Sequence, residues 1–129
     1  MPDFPPKKDV LIVEDDMIIS MVLEQMIEKV GYHVLDKATT GKKAIELALK
    51  LSPDIILMDI QLKGEIDGIS AMQEIRKSST VPVIYITGNS DQYYRSRAKK
   101  TNYIDYLVKP IQMEDLKASI RKVATDHPL

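Results

Sequence analysis

The sequence contains no cysteine, which excludes disulfides and thiolate-held metals. Its two histidines, His33 and His127, stand far apart, which argues against a histidine-built zinc centre. No apolar stretch approaches the roughly 20 residues that span a bilayer. The first residues are proline-rich and polar, without the apolar core of a signal peptide. A cytoplasmic location with no membrane partner is the default expectation. Charge of one sign is also missing: 18 Lys and Arg against 19 Asp and Glu leave a net −1, so no bulk pull toward nucleic acid is expected. There is no GxGxxG motif. Gly41-Lys42-Lys43 falls short of a phosphate loop, because Asp36 stands where the leading glycine belongs and Lys43 replaces the hydroxyl residue.

What is present is an alternation. The 129 residues suit one domain with one core. Residues 1–8 read as a flexible arm, 9–125 as the folded domain and 126–129 as a tail. Strands are expected at 9–13, 33–38, 54–58, 82–86 and 104–108. All but the second are near-continuous apolar runs, the pattern of strands buried on both faces. The mixed second run suits an edge. Between the strands lie helical patterns. Ile19, Val22, Leu23, Met26, Ile27 and Val30 recur at spacings of three and four before Gly31. Further helices start near Thr40 and Gly68. A fourth, over 91–100, has only Tyr94 and Ala98 as a clear apolar pair and should be the least anchored. Its Arg95, Arg97, Lys99 and Lys100 read as a solvated face or, failing that, a partner surface. A fifth carries Met113, Leu116, Ile120 and Val123. Five such βα units imply an α/β fold, a parallel sheet covered on both faces.

The residues that carry chemistry follow the apolar runs. Glu14, Asp15 and Asp16 follow the first, Asp59 the third, Thr87-Gly88 the fourth and Lys109-Pro110 the fifth. Ligands of open α/β sheets sit outside the C-terminal strand ends, where these groups would converge. Asp16 suits a helix N-terminus. That role leaves two further acids, which repel each other unless a cation neutralises them. Oxygen donors alone favour Mg²⁺ or Ca²⁺. Asp59 read in isolation is a turn residue, a metal ligand or a nucleophile. Asp67, before Gly68, reads as a helix cap. Thr87 is either a plain β-branched strand residue or a hydroxyl for a phosphoryl oxygen. Lys109 is a counter-ion for the acids, and a cis bond to Pro110 would turn it into the site. Tyr106 is a core aromatic or a rotamer switch that reports on Thr87.

Taken together, Val-Glu-Asp-Asp at 13–16, Leu-Met-Asp at 57–59, Thr-Gly at 87–88, Tyr106 and Lys-Pro at 109–110 resemble the receiver domains of two-component response regulators, across about residues 8–125. The resemblance implies a flavodoxin-like (βα)5 doubly wound sheet with strand order 2-1-3-4-5. It implies Asp59 as phosphoacceptor, fed by a sensor histidine kinase or phosphotransfer protein. Asp15, Asp59 and the Gln61 backbone carbonyl would hold Mg²⁺ (or Mn²⁺), with Glu14 acting through water. Lys109 and Thr87 would contact the phosphoryl group, Tyr106 would respond, and Gln61 and Asn89 would tune its lifetime. The fourth helix, fifth strand and fifth helix would form an output face for an effector domain or protein, or for a phosphorylation-dependent homodimer. No direct nucleic-acid binding by this domain is implied. Such a domain is a signalling module that assists its own phosphorylation and dephosphorylation rather than an enzyme. Two departures concern the segment after Asp59: the glycine comes nine residues on, and a proline common in the family is absent. Two other readings are a Mg²⁺-dependent phosphohydrolase, which would carry a carboxylate where Gln61 stands, and a receiver-like module that works without phosphorylation.

Overall fold

The computed structural model describes residues 8–89 and 91–126. Residues 1–7 of the expected arm and 127–129 of the expected tail lie outside the described residues. The order is β1 (Asp9–Val13), α1 (Met17–Val30), β2 (His33–Ala38), α2 (Gly41–Leu51), β3 (Ile55–Asp59), α3 (Gly68–Ile75), β4 (Val83–Thr87), α4 (Gln92–Lys99), β5 (Asp105–Val108) and α5 (Met113–Asp126). All strand pairs are parallel and the sheet runs β2-β1-β3-β4-β5. Strand order changes direction at β1, so the crevice between the ends of β1 and β3 is the natural ligand position.

Alternation along the strands builds two cores. Leu11, Val13, Ile56, Met58, Val83 and Tyr85 face α2, α3 and α4. Val10, Ile12, Ile55, Leu57, Ile84 and Ile86 face α1 and α5. Every residue of β3 and β4 is buried, and each large apolar side chain so placed contributes about 1.5–3 kcal/mol. The residues that end these strands are therefore held by fully buried strands.

The expected helix limits have clear physical causes. Asp16 caps α1 by accepting from the Ile18 and Ile19 amides at 2.9 and 3.0 Å. Gly31 closes it at φ +96°, a conformation that favours glycine. Thr40 caps α2 through the Lys43 amide. Three expectations are corrected. Strands three and four lie one residue later than read, which makes Asp59 and Thr87 their last residues rather than the first beyond them, and strand five starts one residue later. The fifth run is not buried on both faces as its apolar pattern suggested: it takes the edge position that the order 2-1-3-4-5 gives it, with Tyr106 buried and Val108 exposed. Its apolar sequence resembled a central strand, but among the described residues no sixth strand covers its outer side. Lys8, read as part of the arm, is buried, and its carbonyl accepts from the His33 amide at 2.9 Å.

Candidate functional site

The C-terminal ends of β1, β3 and β5 bring the acidic residues and the lysine together. Backbone bonds carry the ladder past the strands: Glu14 N donates to Ala38 O at 3.0 Å, Ile60 N to Ile86 O at 3.2 Å and Lys109 N to Thr87 O at 2.7 Å. Glu14 and Asp59 thus sit at the mouth of the sheet, 1% and 3% exposed. Carboxylate oxygens of Glu14, Asp15 and Asp59 lie within 4.8 Å of one another. The Lys109 ammonium is 3.1 Å from Asp59 Oδ2 and 2.8 Å from Glu14 Oε1. The Lys109-Pro110 bond is cis.

With all three carboxylates ionised, one ammonium would leave two negative charges uncompensated at a site where Glu14 and Asp59 are buried. The effect is visible at Asp59. Burial, then the neighbouring Glu14, push its carboxyl up to about 7, although Lys109 pulls the other way. Burial alone would lower the Lys109 ammonium, but Glu14 and Asp59 more than offset it and leave its pKa raised.

The oxygens fit a hard divalent cation. Glu14 Oε2 accepts from the Asp16 amide at 3.0 Å. Its Oε1 is buried and lacks a directed hydrogen bond, for Lys109 attracts it from outside hydrogen-bonding geometry. A buried carboxylate oxygen with an ammonium as its one partner, in a cluster of three acids, suits an ion that accepts oxygen donors without strict direction. Glu14, Asp15 and Asp59 are the side chains that could hold it. Asp15 also accepts from the Lys63 amide at 3.0 Å, which ties the β3–α3 loop to the site. Gln61 is exposed in that loop.

Thr87 and Tyr106 lie on the neighbouring strands. Thr87 is fully buried, and its hydroxyl oxygen accepts from the Asn89 amide at 3.1 Å. The Tyr106 hydroxyl donates to the Asn89 carbonyl at 3.0 Å. A single peptide residue therefore joins the two side chains. The Asn89 side chain accepts from the Asp91 amide at 2.7 Å, at the start of α4. Asp67 caps α3 through the Ser70 amide at 2.8 Å, as its sequence position suggests.

Sequence reading missed two features. Gly68 packs so tightly on β3 that a Cβ would overlap the Asp59 carbonyl oxygen and stand 2.8 Å from Met58 Cγ. Its position after a capping aspartate was the available signal. The basic stretch on α4 is the second. Arg97 pairs with Asp67, and Arg95 lies over the Tyr106 ring at 4.3 Å. Both arginines are internal anchors rather than a solvated face, because α4 has little apolar surface to hold it: Ala98 is its one buried residue.

A parallel sheet in the order 2-1-3-4-5, with acids and a lysine at its C-terminal edge, defines a CheY-like α/β signalling domain. The chain belongs to the response regulator receiver domain family, whose sequence model matches residues 10–121, and it is a receiver domain of the two-component type. It is 38% identical over 111 residues to the uncharacterized transcriptional regulatory protein YrkP of Bacillus subtilis, covering 86% of this chain and 47% of that protein. It is 36% identical over 107 residues to the transcriptional regulatory protein PdtaR of Mycobacterium tuberculosis, covering 83% and 52%. The chain spans about half the length of these curated relatives. Among solved structures, the signal receiver domain of a modulated diguanylate cyclase from Desulfovibrio desulfuricans superposes with a TM-score of 0.86 at 35% identity, covering 93% of this chain and 95% of that one. The response regulator domain of Thermotoga maritima CheB gives 0.85 at 28% identity, covering 95% and 99%. Receiver domains are signalling modules. Among the described residues, no helix is long and apolar enough to cross a membrane.

Proposed function

We propose that Asp59 accepts a phosphoryl group from a phosphohistidine on a sensor kinase or phosphotransfer protein. The observation that carries this reading is the position of Asp59, buried at the end of β3 among Glu14, Asp15 and Lys109. A carboxylate oxygen of Asp59 forms a bond to phosphorus as the phosphorus–nitrogen bond of the donor breaks. The electron pair of that bond leaves with the imidazole. Mg²⁺ (or Mn²⁺), when held by Glu14, Asp15, Asp59 and the Gln61 carbonyl, would supply charge neutralisation for the acids and the incoming oxygens. Lys109 is already in contact with Asp59 and is placed to meet a phosphoryl oxygen. Thr87, on the adjacent strand, can offer its hydroxyl hydrogen to another, since its present bond uses only the oxygen as acceptor.

Drawing Thr87 toward the phosphoryl group pulls on Asn89, and Asn89 holds the Tyr106 hydroxyl. The acyl phosphate thus acts as a differential ligand for two arrangements of the face formed by α4, β5 and α5. That face addresses an effector domain, an effector protein or a second copy of the chain. Gln61 and Asn89 tune the lifetime of the acyl phosphate. The domain works in the cytoplasm and does not itself contact nucleic acid, and it assists its own phosphorylation without acting on other substrates.

The test is labelling with acetyl phosphate and Mg²⁺, read by intact mass and by hydroxylamine sensitivity. One phosphoryl group is expected, lost in Asp59→Asn and dependent on the metal. Equal labelling of the variant would sink the assignment.

A further inference from the structure

We propose that Arg97 is a positioning residue that restrains α4 in the unphosphorylated arrangement and so sets how readily the phosphoryl site is filled. The inference rests on the phosphoacceptor reading above. Arg97 Nη1 donates to Asp67 Oδ2 at 2.6 Å and Nη2 to Asp67 Oδ1 at 3.1 Å, a two-point clasp of a planar guanidinium on a carboxylate. Nη2 also reaches Ser70 Oγ at 3.1 Å. Both side chains are three-quarters buried, at 24% and 25% exposure. Burial would raise the Asp67 carboxyl, yet the bonds from Arg97 and Ser70 hold it below its ordinary value.

The two ends of the clasp belong to different parts of the switch. Asp67 is the cap of α3, and the next residue, Gly68, runs so close to the Asp59 carbonyl that a Cβ there would overlap it, and donates to Ile60 O at 2.7 Å. That end cannot move without disturbing the backbone of the phosphoacceptor. Arg97 lies on α4, which has a single buried residue and little apolar packing to hold it. The start of α4 follows Asn89, the residue that links Thr87 to Tyr106. A shift of Thr87 toward a phosphoryl group therefore displaces a helix that Arg97 pins to α3. Energy gained by the clasp in the resting arrangement opposes that displacement, and a ligand's apparent affinity falls in proportion to the competent fraction.

A merely structural arginine would lower stability and leave phosphoryl-mimic affinity unchanged or weaker. A restraining arginine gives the opposite pairing: lower stability with tighter binding. The experiment is calorimetric titration of the whole chain with beryllofluoride at saturating Mg²⁺, alongside thermal melting without it. Arg97→Gln should melt lower yet half-saturate at about three- to tenfold lower beryllofluoride. Asp67→Asn keeps an oxygen for the α3 cap and removes the charge that Arg97 grips, so it should shift half-saturation in the same direction. It also serves if Arg97→Gln does not fold. The double variant should do no more than the larger single change. If the unaltered chain binds beryllofluoride and the variants bind it equally or more weakly, the restraint is refuted. If the unaltered chain shows no Asp59-dependent binding, the phosphoacceptor reading fails instead.

Discussion

Replacing Asp59 by asparagine should stabilise the metal-free protein, although it removes the residue at the heart of the site. Its carboxyl titrates near 7 in the fold, against 3.8 for the unperturbed group. A folded pKa raised above the unfolded one means that the native state binds the proton more tightly. Stability contributed by this group is present below about pH 4 and lost as pH rises toward 7, at up to ~1.4 kcal/mol per pH unit. Above pH 7 the whole cost is in place, about 4 kcal/mol for a shift of roughly three units. Asparagine avoids that cost and keeps the shape, while Lys109 retains Glu14 at 2.8 Å. Loss of the ionic contact with Lys109 offsets part of the gain, so about 2–4 kcal/mol is expected at pH 8 in a chelator. That corresponds to roughly 6–12 °C in Tm. Asp67 and Asp105 are both held below their ordinary values, so their contributions are lost only on acidification below about pH 4 and leave this window clear. The assay is thermal melting or urea unfolding of both proteins from pH 4.5 to 8 with chelator present. The gap should narrow steadily toward pH 4.5. An Asp59→Asn protein that melts lower at pH 8, or a gap that ignores pH, would refute the picture of a crowded, partly uncompensated carboxylate cluster.

Mg²⁺ should narrow the gap, because it binds the folded cluster and gains nothing from the unfolded chain. At a hundred times its dissociation constant it adds about 2.7 kcal/mol to the unaltered protein, and less to Asp59→Asn; equal gains in calorimetric melts would count against Asp59 as a ligand. Gly68→Ala should cost about 1–3 kcal/mol, since its methyl group has to displace the Asp59 carbonyl or the Met58 side chain. It should also slow labelling by acetyl phosphate at temperatures where the variant remains folded. Labelling at the normal rate would show that the Asp59 backbone tolerates the shift.

Much of the site could be read before the fold was seen, because its residues end the apolar runs. Ile55 to Met58 had to be a buried strand, so Asp59 had to stand at its end, and the same holds for Thr87 after Val83 to Ile86. The caps were legible too. Asp16 and Asp67 precede periodic apolar residues, and their bonds to amides two and three residues on are local. The roles of Arg95 and Arg97 were not legible. A basic stretch on a weakly apolar helix looks solvated when its partners are unknown, and Asp67 lies 30 residues away. The closeness of Gly68 to the Asp59 carbonyl was hidden for a similar reason. It depends on how α3 packs against β3, which no local pattern specifies.

By itself, then, the sequence determined the five βα units, the residues at the strand ends and the oxygen-only chemistry available there, since burial and helix caps are local consequences of residue type and spacing. Tertiary structure decided what those residues do to one another. Strand order sets Lys109 between Glu14 and Asp59, although nearly a hundred positions separate Glu14 from Lys109. It also lets Arg97 reach Asp67. Hydrogen bonds and contact ion pairs need their groups within about 3–4 Å, and only the folding of distant segments onto one sheet edge brings these groups within that range.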